Sequence, residues 1–188
     1  MRILGALVPV LLYGFASIFM AWTCAAHASD RNGALYALQS LPTYKNDRAP
    51  ELADEKLAQL QAFADAVERH TRSKKEAAFL IAWGWHETAF SLAIVDGQCR
   101  PLQCDRGRAR GAFQEHRIGR PLEEWDRLHG LGNIDAQVES AARRARGMLG
   151  MCKTAEGAFR SMTGRGCSAR LPGVERRVAT YRQIAGRL

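Results

Sequence analysis

The sequence has no stretch in which polar and apolar residues alternate for the length of a strand, no internal repeat and no low-complexity tract. These absences argue against a β-sandwich or barrel, a repeat solenoid and a polar disordered chain. After residue 22 there is also no apolar run that could cross a bilayer, which takes about 20 residues. Acidic side chains are scarce, 19 Asp and Glu against 27 Lys and Arg, for a formal charge of +8. That deficit favours polyanionic partners: nucleic acid, membrane surfaces, or the acidic peptides and polymers of a bacterial wall.

What is present begins with Met1-Arg2 and the apolar run Ile3 to Trp22, the charged start and hydrophobic region of an export signal. Ala26-His27-Ala28 is a small-x-small cleavage site. Residues 1–28 therefore read as a signal peptide, with Ser29 as the mature N-terminus of a periplasmic or secreted protein. An uncleaved leader is the alternative and the sole membrane attachment expected. Lipidation at Cys24 is disfavoured by the bulky Trp22 in Ala21-Trp22-Thr23. Export also argues against nucleic acid as a partner.

Cysteine usage agrees with export. Cys24 leaves with the leader, and Cys99, Cys104, Cys152 and Cys167 remain, an even number suited to an oxidising compartment. Three pairings are open, and proximity favours Cys99–Cys104 with Cys152–Cys167; the second loop is worth about 3 kcal/mol in the chain-entropy model. A zinc site is the rival reading. His116 and His129 do not complete a familiar ligand spacing with Cys99 and Cys104, and Phe90 stands where a zinc-protease helix starting at His86-Glu87 would need its second histidine. No metal or other cofactor is expected.

The mature chain reads as one mostly α-helical domain, residues 51–188, preceded by a loosely packed N-terminal arm at 29–50. Ala53, Leu57, Leu60, Ala64 and Val67 form the stripe of an amphipathic helix over 51–69, expected to lie against a central helix. From Ser91 to Arg110 no helical period survives; Gly97, Pro101 and Gly107 indicate a loop or short hairpin. Pro121 opens a short helix with Trp125, and Asn133 caps a longer one with Ile134, Val138, Ala141, Ala145 and Met148 inward, closed by Gly150. A short helix over 155–162 and a last one after Pro172, with Val174, Val178, Tyr181 and Ala185 inward, complete the set. Arg106, Arg108 and Arg110 form a basic loop cluster, whereas Arg143, Arg144, Arg146, Lys153, Arg160, Arg165 and Arg170 read as a solvated face.

The segment Ser73 to Gln114 organises the rest. Ser73-Lys74-Lys75-Glu76 is a capping box, in which the serine hydroxyl accepts from the Glu76 amide and the Glu76 carboxylate reaches back to the Ser73 amide. Ala77 to Trp85 follow, apolar on nearly every side, so this helix is central rather than superficial. It ends in His86-Glu87. Apolar neighbours, Trp83 one turn back and the negative end of the helix dipole all favour a protonated Glu87 carboxyl. A protonated carboxyl is what a general acid requires, and glycoside cleavage often uses one. His86 reads as a structural histidine, and Trp83 and Trp85 as core.

Glu87-Thr88-Ala89-Phe90, followed by Ala109-Arg110-Gly111-Ala112-Phe113-Gln114, resembles the lysozyme-like family of soluble lytic transglycosylases and goose-type lysozymes. There a helix ends Glu-Ser-x-Phe and an Ala-x-Gly-Leu-Met-Gln segment follows some twenty-odd residues later. The resemblance spans roughly residues 57–181. It implies a lysozyme-like fold with a central buried helix and a loop or hairpin as one cleft wall. It implies cleavage of the β-1,4 bond between N-acetylmuramic acid and N-acetylglucosamine in peptidoglycan glycan strands, alone or within an envelope-spanning machine. Glu87 would be the acid, with Gly111, Phe113 and Gln114 at the substrate.

One departure concerns the acid's partner. Family members carry Tyr-Asn-x-Gly in a later helix, the tyrosine bonding the acid, whereas Met162-Thr163 stand there in this chain. Tyr181 or another polar group must replace it, or the chain binds glycan without cutting. The outcome of cutting depends on a second carboxylate. Asp96 and Asp105 are the candidates, but Asp96-Gly97 reads as a turn and Asp105 as an ion-pair partner of a neighbouring arginine. Lytic cleavage by Glu87 alone is the expectation, with a hydrolytic muramidase and a non-catalytic wall-binding protein as the alternatives.

Overall fold

The computed structural model describes residues 33–96, 109–116, 133–162 and 166–188. Outside them lie the leader and its cleavage site, Cys99 and Cys104, Asp105, Arg106 and Arg108, the Pro121 segment with Trp125, and Thr163. The described chain is mostly helical. It runs through α1 (33–39), α2 (Ala53–His70), α3 (Lys74–Thr88), α4 (Leu92–Val95), a two-stranded ribbon, α5 (Ile134–Cys152), α6 (Ala155–Ser161) and α7 (Val174–Ala185). No helix among the described residues is long and apolar enough to cross a membrane.

α3 is the axis of the core. Ala77 to Trp83 are all buried, Phe79, Leu80, Ile81 and Ala82 completely. α7 packs along it most extensively, α5 and α2 also touch it, and α6 bridges α5 and α7. Its start follows the expected capping chemistry with one change. Ser73 Oγ accepts from the Glu76 amide at 3.2 Å, but the Glu76 carboxylate accepts from the Arg72 amide, at 2.9 Å, rather than from that of Ser73. Phe79 stacks on Phe159 of α6 with centroids 4.4 Å apart. This is how a seven-residue helix capped by Thr154, whose hydroxyl accepts from the Gly157 amide, is held in place.

Several expectations need correction. The stretch read as a loose N-terminal arm is helical at 33–39, and Ala34, Ala37, Leu38 and Leu41 are buried in the common core. Its apolar run is short but continuous with that core, so tertiary packing orders it. On α2 the expected stripe meets the core at Leu60, Ala64 and Val67, but Ala53 and Leu57 are exposed, Leu57 by 47%, and Lys56, Gln59, Phe63 and Ala66 are buried as well. Lys56 is buried among polar partners, described below, which no apolar period announces. α2 also packs chiefly on α5, with a smaller contact to α3. Between Ser91 and Arg110, where no helix was expected, Leu92–Val95 forms one turn. Finally, α5 passes through Gly150 to Cys152 and stops at Lys153, which adopts a left-handed conformation (φ 63°). Asn133 makes no side-chain cap bond to its first turn.

Cys152 is bonded to Cys167 across a 15-residue separation, as proximity suggested. The bond ties the end of α5 to the segment leading into α7 and so closes the chain around α3.

Candidate active site

Glu87 sits in the last turn of α3, and the backbone beyond it is bent sharply. Ala89 and Phe90 are both left-handed, at φ 46° and 52°, a conformation that costs of order 1–3 kcal/mol for non-glycine residues and needs support from outside. Three supports are visible. The Thr88 hydroxyl accepts from the Phe90 amide at 3.0 Å and lies within donating distance of the Gly84 and Ala112 carbonyls, at 3.0 and 3.3 Å. Phe90 folds its ring back onto the bare face of Gly84, where a methyl group would come within 2.8 Å of the ring. The Phe90 carbonyl accepts from the ammonium of Lys56. That ammonium also donates to Asp47 Oδ2 at 3.1 Å and Gln59 Oε1 at 2.9 Å, while Asp47 Oδ2 takes the Leu92 amide at 2.8 Å. Burial pushes the Lys56 amine below its ordinary value, and Asp47 offsets part of that shift.

The second wall is the ribbon. Ala109–Arg110 pairs antiparallel with Glu115–His116, Ala109 opposite His116 and Arg110 opposite Glu115. The turn between them is the Gly111-to-Gln114 stretch of the sequence motif. Gly111 is left-handed (φ 71°) and buried, which explains a glycine there. It is not among the residues that line the cleft described next. The Gln114 amide and its side-chain Nε2 both donate to the Gly111 carbonyl at 3.1 Å. Gln114 thus closes the loop and lines the cleft at once. Ala112 is clamped from both sides, its amide donating to Gln137 Oε1 at 2.7 Å and its carbonyl facing Thr88.

Between α3 and the ribbon lies a cleft of about 450 Å³, lined among the described residues by Trp83, Glu87, Phe113, Gln114, Glu115, His116, Arg144, Met162, Leu171 and Arg177. The two sequence motifs, more than twenty residues apart, meet here. Trp83 and Phe113 form the apolar floor, edge to face at 5.0 Å, both almost fully buried. The Trp83 indole N–H is buried without a hydrogen-bond partner, and the Arg144 guanidinium lies over its ring, 5.3 Å from the centroid.

Glu87 meets a partner that the sequence reading did not place. Arg177 Nη1, on α7, donates to Glu87 Oε1 at 2.7 Å. Tyr181, one turn further along α7, does not line the cleft or bond Glu87; burial raises its phenol above the ordinary value. Met162 does line the cleft, and its thioether has no strong donor to offer a carboxylate. Among the described residues Arg177, rather than Tyr181 or Met162, is the side chain that bonds Glu87. One residue before Glu87, His86 Nε2 bonds Thr180 Oγ1 at 3.0 Å. That hydroxyl also lies 3.0 Å from the Arg176 carbonyl, and when it donates there it accepts from His86. Burial, then the nearby Arg177 charge, pushes the imidazole below its usual value.

A second carboxylate was also missed. Glu115 lines the cleft but is only 5% exposed, with Oε1 on Arg144 Nη1 at 3.1 Å and Oε2 on Ser140 Oγ at 3.4 Å. The available signal was its position directly after Gln114 on a strand. Its partners on α5 carried none. Asp96 follows α4 and is absent from the described cleft lining. Among the described residues no three His, Cys, Asp or Glu side chains converge as a metal site. Of the arginines read as a solvated face, Arg143 pairs with Glu139, Arg144 with Glu115, Arg146 with Glu76 and Arg160 with Glu156. Comparison with protein-family models, with curated proteins and with solved structures finds no match.

Proposed function

We propose that the protein is an exported lysozyme-like enzyme that cleaves the β-1,4 bond of peptidoglycan glycan strands, with Glu87 as acid and then base. The observation that carries this reading is the meeting, across one cleft, of the α3 end bearing Glu87 and the hairpin turn Gly111–Gln114. Glu87 first leaves Arg177 and takes up a proton. It then delivers that proton to the glycosidic oxygen as the C–O bond breaks, leaving an oxocarbenium-like sugar. The sugar's own 6-hydroxyl attacks the anomeric carbon and returns its proton to Glu87, so no water is consumed and a 1,6-anhydro end results. The lytic outcome is favoured because Glu115 has both carboxylate oxygens engaged and little exposure. A nucleophile or water-activating base needs a free oxygen facing the sugar. Phe113 and Gln114 would contact the glycan. Glycan strands are the proposed partner, and an envelope-spanning machine is the setting in which such local cutting would serve.

The Arg177 ion pair and the thioether of Met162 favour a second reading, a wall-binding protein that does not cut. Turbidity clearing and zymography on purified peptidoglycan, with wild type and Glu87→Gln, separate the two. The enzyme reading expects clearing by wild type and loss in the variant. Equal clearing by both removes Glu87 from the mechanism, and pelleting on peptidoglycan without clearing by either identifies the binding protein.

A further inference from the structure

A general acid held by an arginine is idle until something takes the arginine away. Among the described residues, Glu87 is the one side chain that Arg177 bonds, through Nη1 alone. A guanidinium has five N–H donors in a rigid fork, so Nη2 and Nε remain for another acceptor. The pair sits in the cleft wall with side-chain exposures of 17% for Arg177 and 24% for Glu87, within reach of a ligand. The other arginine of the cleft is placed differently. Arg144 also bonds through Nη1 and is more exposed, at 43%, but its carboxylate is 4% exposed and also bonded by Ser140, and its guanidinium lies over Trp83. Of the two, Arg177 is the one whose carboxylate partner is itself partly exposed, 24% against 4%.

The chemistry of the exchange limits what can bring it about. A neutral sugar offers only hydroxyls and an amide carbonyl, which cannot replace a carboxylate at a partly buried guanidinium without leaving its charge poorly compensated. A carboxylate on the sugar, or on a substituent beside the scissile bond, can take the same fork in two parallel bonds. We propose that Arg177 determines specificity: it selects glycans bearing a carboxylate next to the bond to be cut, and by moving to that carboxylate it frees Glu87 to act. This rests on the reading of Glu87 as the acid. The carboxylate belongs either to the ether substituent of the sugar itself or to a peptide attached to it, and the two sources are separable by experiment.

The test compares kcat/KM for wild type, Arg177→Gln and Arg177→Lys on three substrates: peptide-bearing glycan strands, strands stripped of peptide by an amidase, and a neutral N-acetylglucosamine hexamer. Wild type is expected to favour one of the anionic substrates over the hexamer by about tenfold or more, the size of a lost charge-assisted bond. Which anionic substrate it favours names the source of the carboxylate. Arg177→Gln should lose that preference, falling on the anionic substrate while holding or gaining on the hexamer, and Arg177→Lys should restore part of it. Equal falls on charged and neutral substrates, or a wild type indifferent to charge, overturn the proposal. If no glycan is cut, or Glu87→Gln cuts as well as wild type, the acid reading has failed, and tryptophan-fluorescence titrations with N-acetylmuramic acid and N-acetylglucosamine decide the rest. Tighter binding of the acid sugar that disappears in Arg177→Gln upholds Arg177 as the carboxylate receptor, and equal binding of both sugars removes it.

Discussion

The cleft holds two glutamates, each facing an arginine, and they are built for opposite purposes. Glu115 has an oxygen on Arg144 and an oxygen on Ser140, is nearly out of solvent, and stands on a strand pinned to α5. Glu87 has one oxygen on Arg177, about a quarter of its side chain exposed, and stands at a helix end held in place by Thr88, Gly84 and Lys56. The first is a satisfied buried group that fastens the ribbon to the helices. The second is a group on a braced backbone with one ion-pair partner at a partly exposed position. Rigidity of the main chain with freedom of one ion pair is what a general acid needs, and the pairing alone does not distinguish the two residues. The number of bonds on each carboxylate does.

The largest effect that would sharpen this contrast is on activity. Glu87→Gln should lower glycan cleavage by about 10²–10⁴-fold with the thermal midpoint little changed, whereas Glu115→Gln should lower the midpoint, by about 1–3 kcal/mol of stability, and leave measurable cleavage below it. Calorimetry and zymography on the pair decide it; a reversal, with Glu115→Gln folded and dead, would make Glu115 the chemical group. Next comes the support beneath Glu87. Lys56→Met strands the Asp47 carboxylate in the core, where loss of one ion-pair partner costs about 3–5 kcal/mol. Urea unfolding should show that loss, and a cost under about 1 kcal/mol would mean that the left-handed turn at Ala89–Phe90 holds itself.

These predictions also mark what could be read from the chain beforehand. The start of α3 was legible because Ser73 and Glu76 lie within one turn of the groups they cap. The burial of α3 was legible because an all-apolar run has few other places to go. At its far end the contacts that join it to the rest of the site are long-range: Arg177 lies 90 residues from Glu87, Ala112 24 from Thr88, and Lys56 34 from Phe90. No periodicity encodes such partners. The motif Ala109–Gln114 announced a cleft wall but not that Gly111 serves the turn, since a left-handed glycine and one that clears space for a ligand look alike in sequence.

The smallest effect is on the pH dependence of stability. His86 has a lowered pKa in the folded chain, from an ordinary value of 6.5, through burial and then Arg177. Between the folded value and 6.5 the unfolded chain binds the additional proton, so His86 stabilises the fold fully above 6.5 and loses that contribution as pH falls through the folded value. His86→Gln keeps a donor for Thr180 and should flatten the decline in thermal midpoint on acidification below 6.5. An unchanged slope would assign that decline to other groups.

The central claim, that Glu87 alone serves as acid and base, is tested most directly by the products. Peptidoglycan strands digested in ¹⁸O-labelled water and examined by mass spectrometry should yield 1,6-anhydro ends with no label, and none at all with Glu87→Gln. Reducing ends that carry ¹⁸O, lost in Asp96→Asn, Asp105→Asn or Glu115→Gln, would show water as the nucleophile and a second carboxylate at work, and would contradict the account.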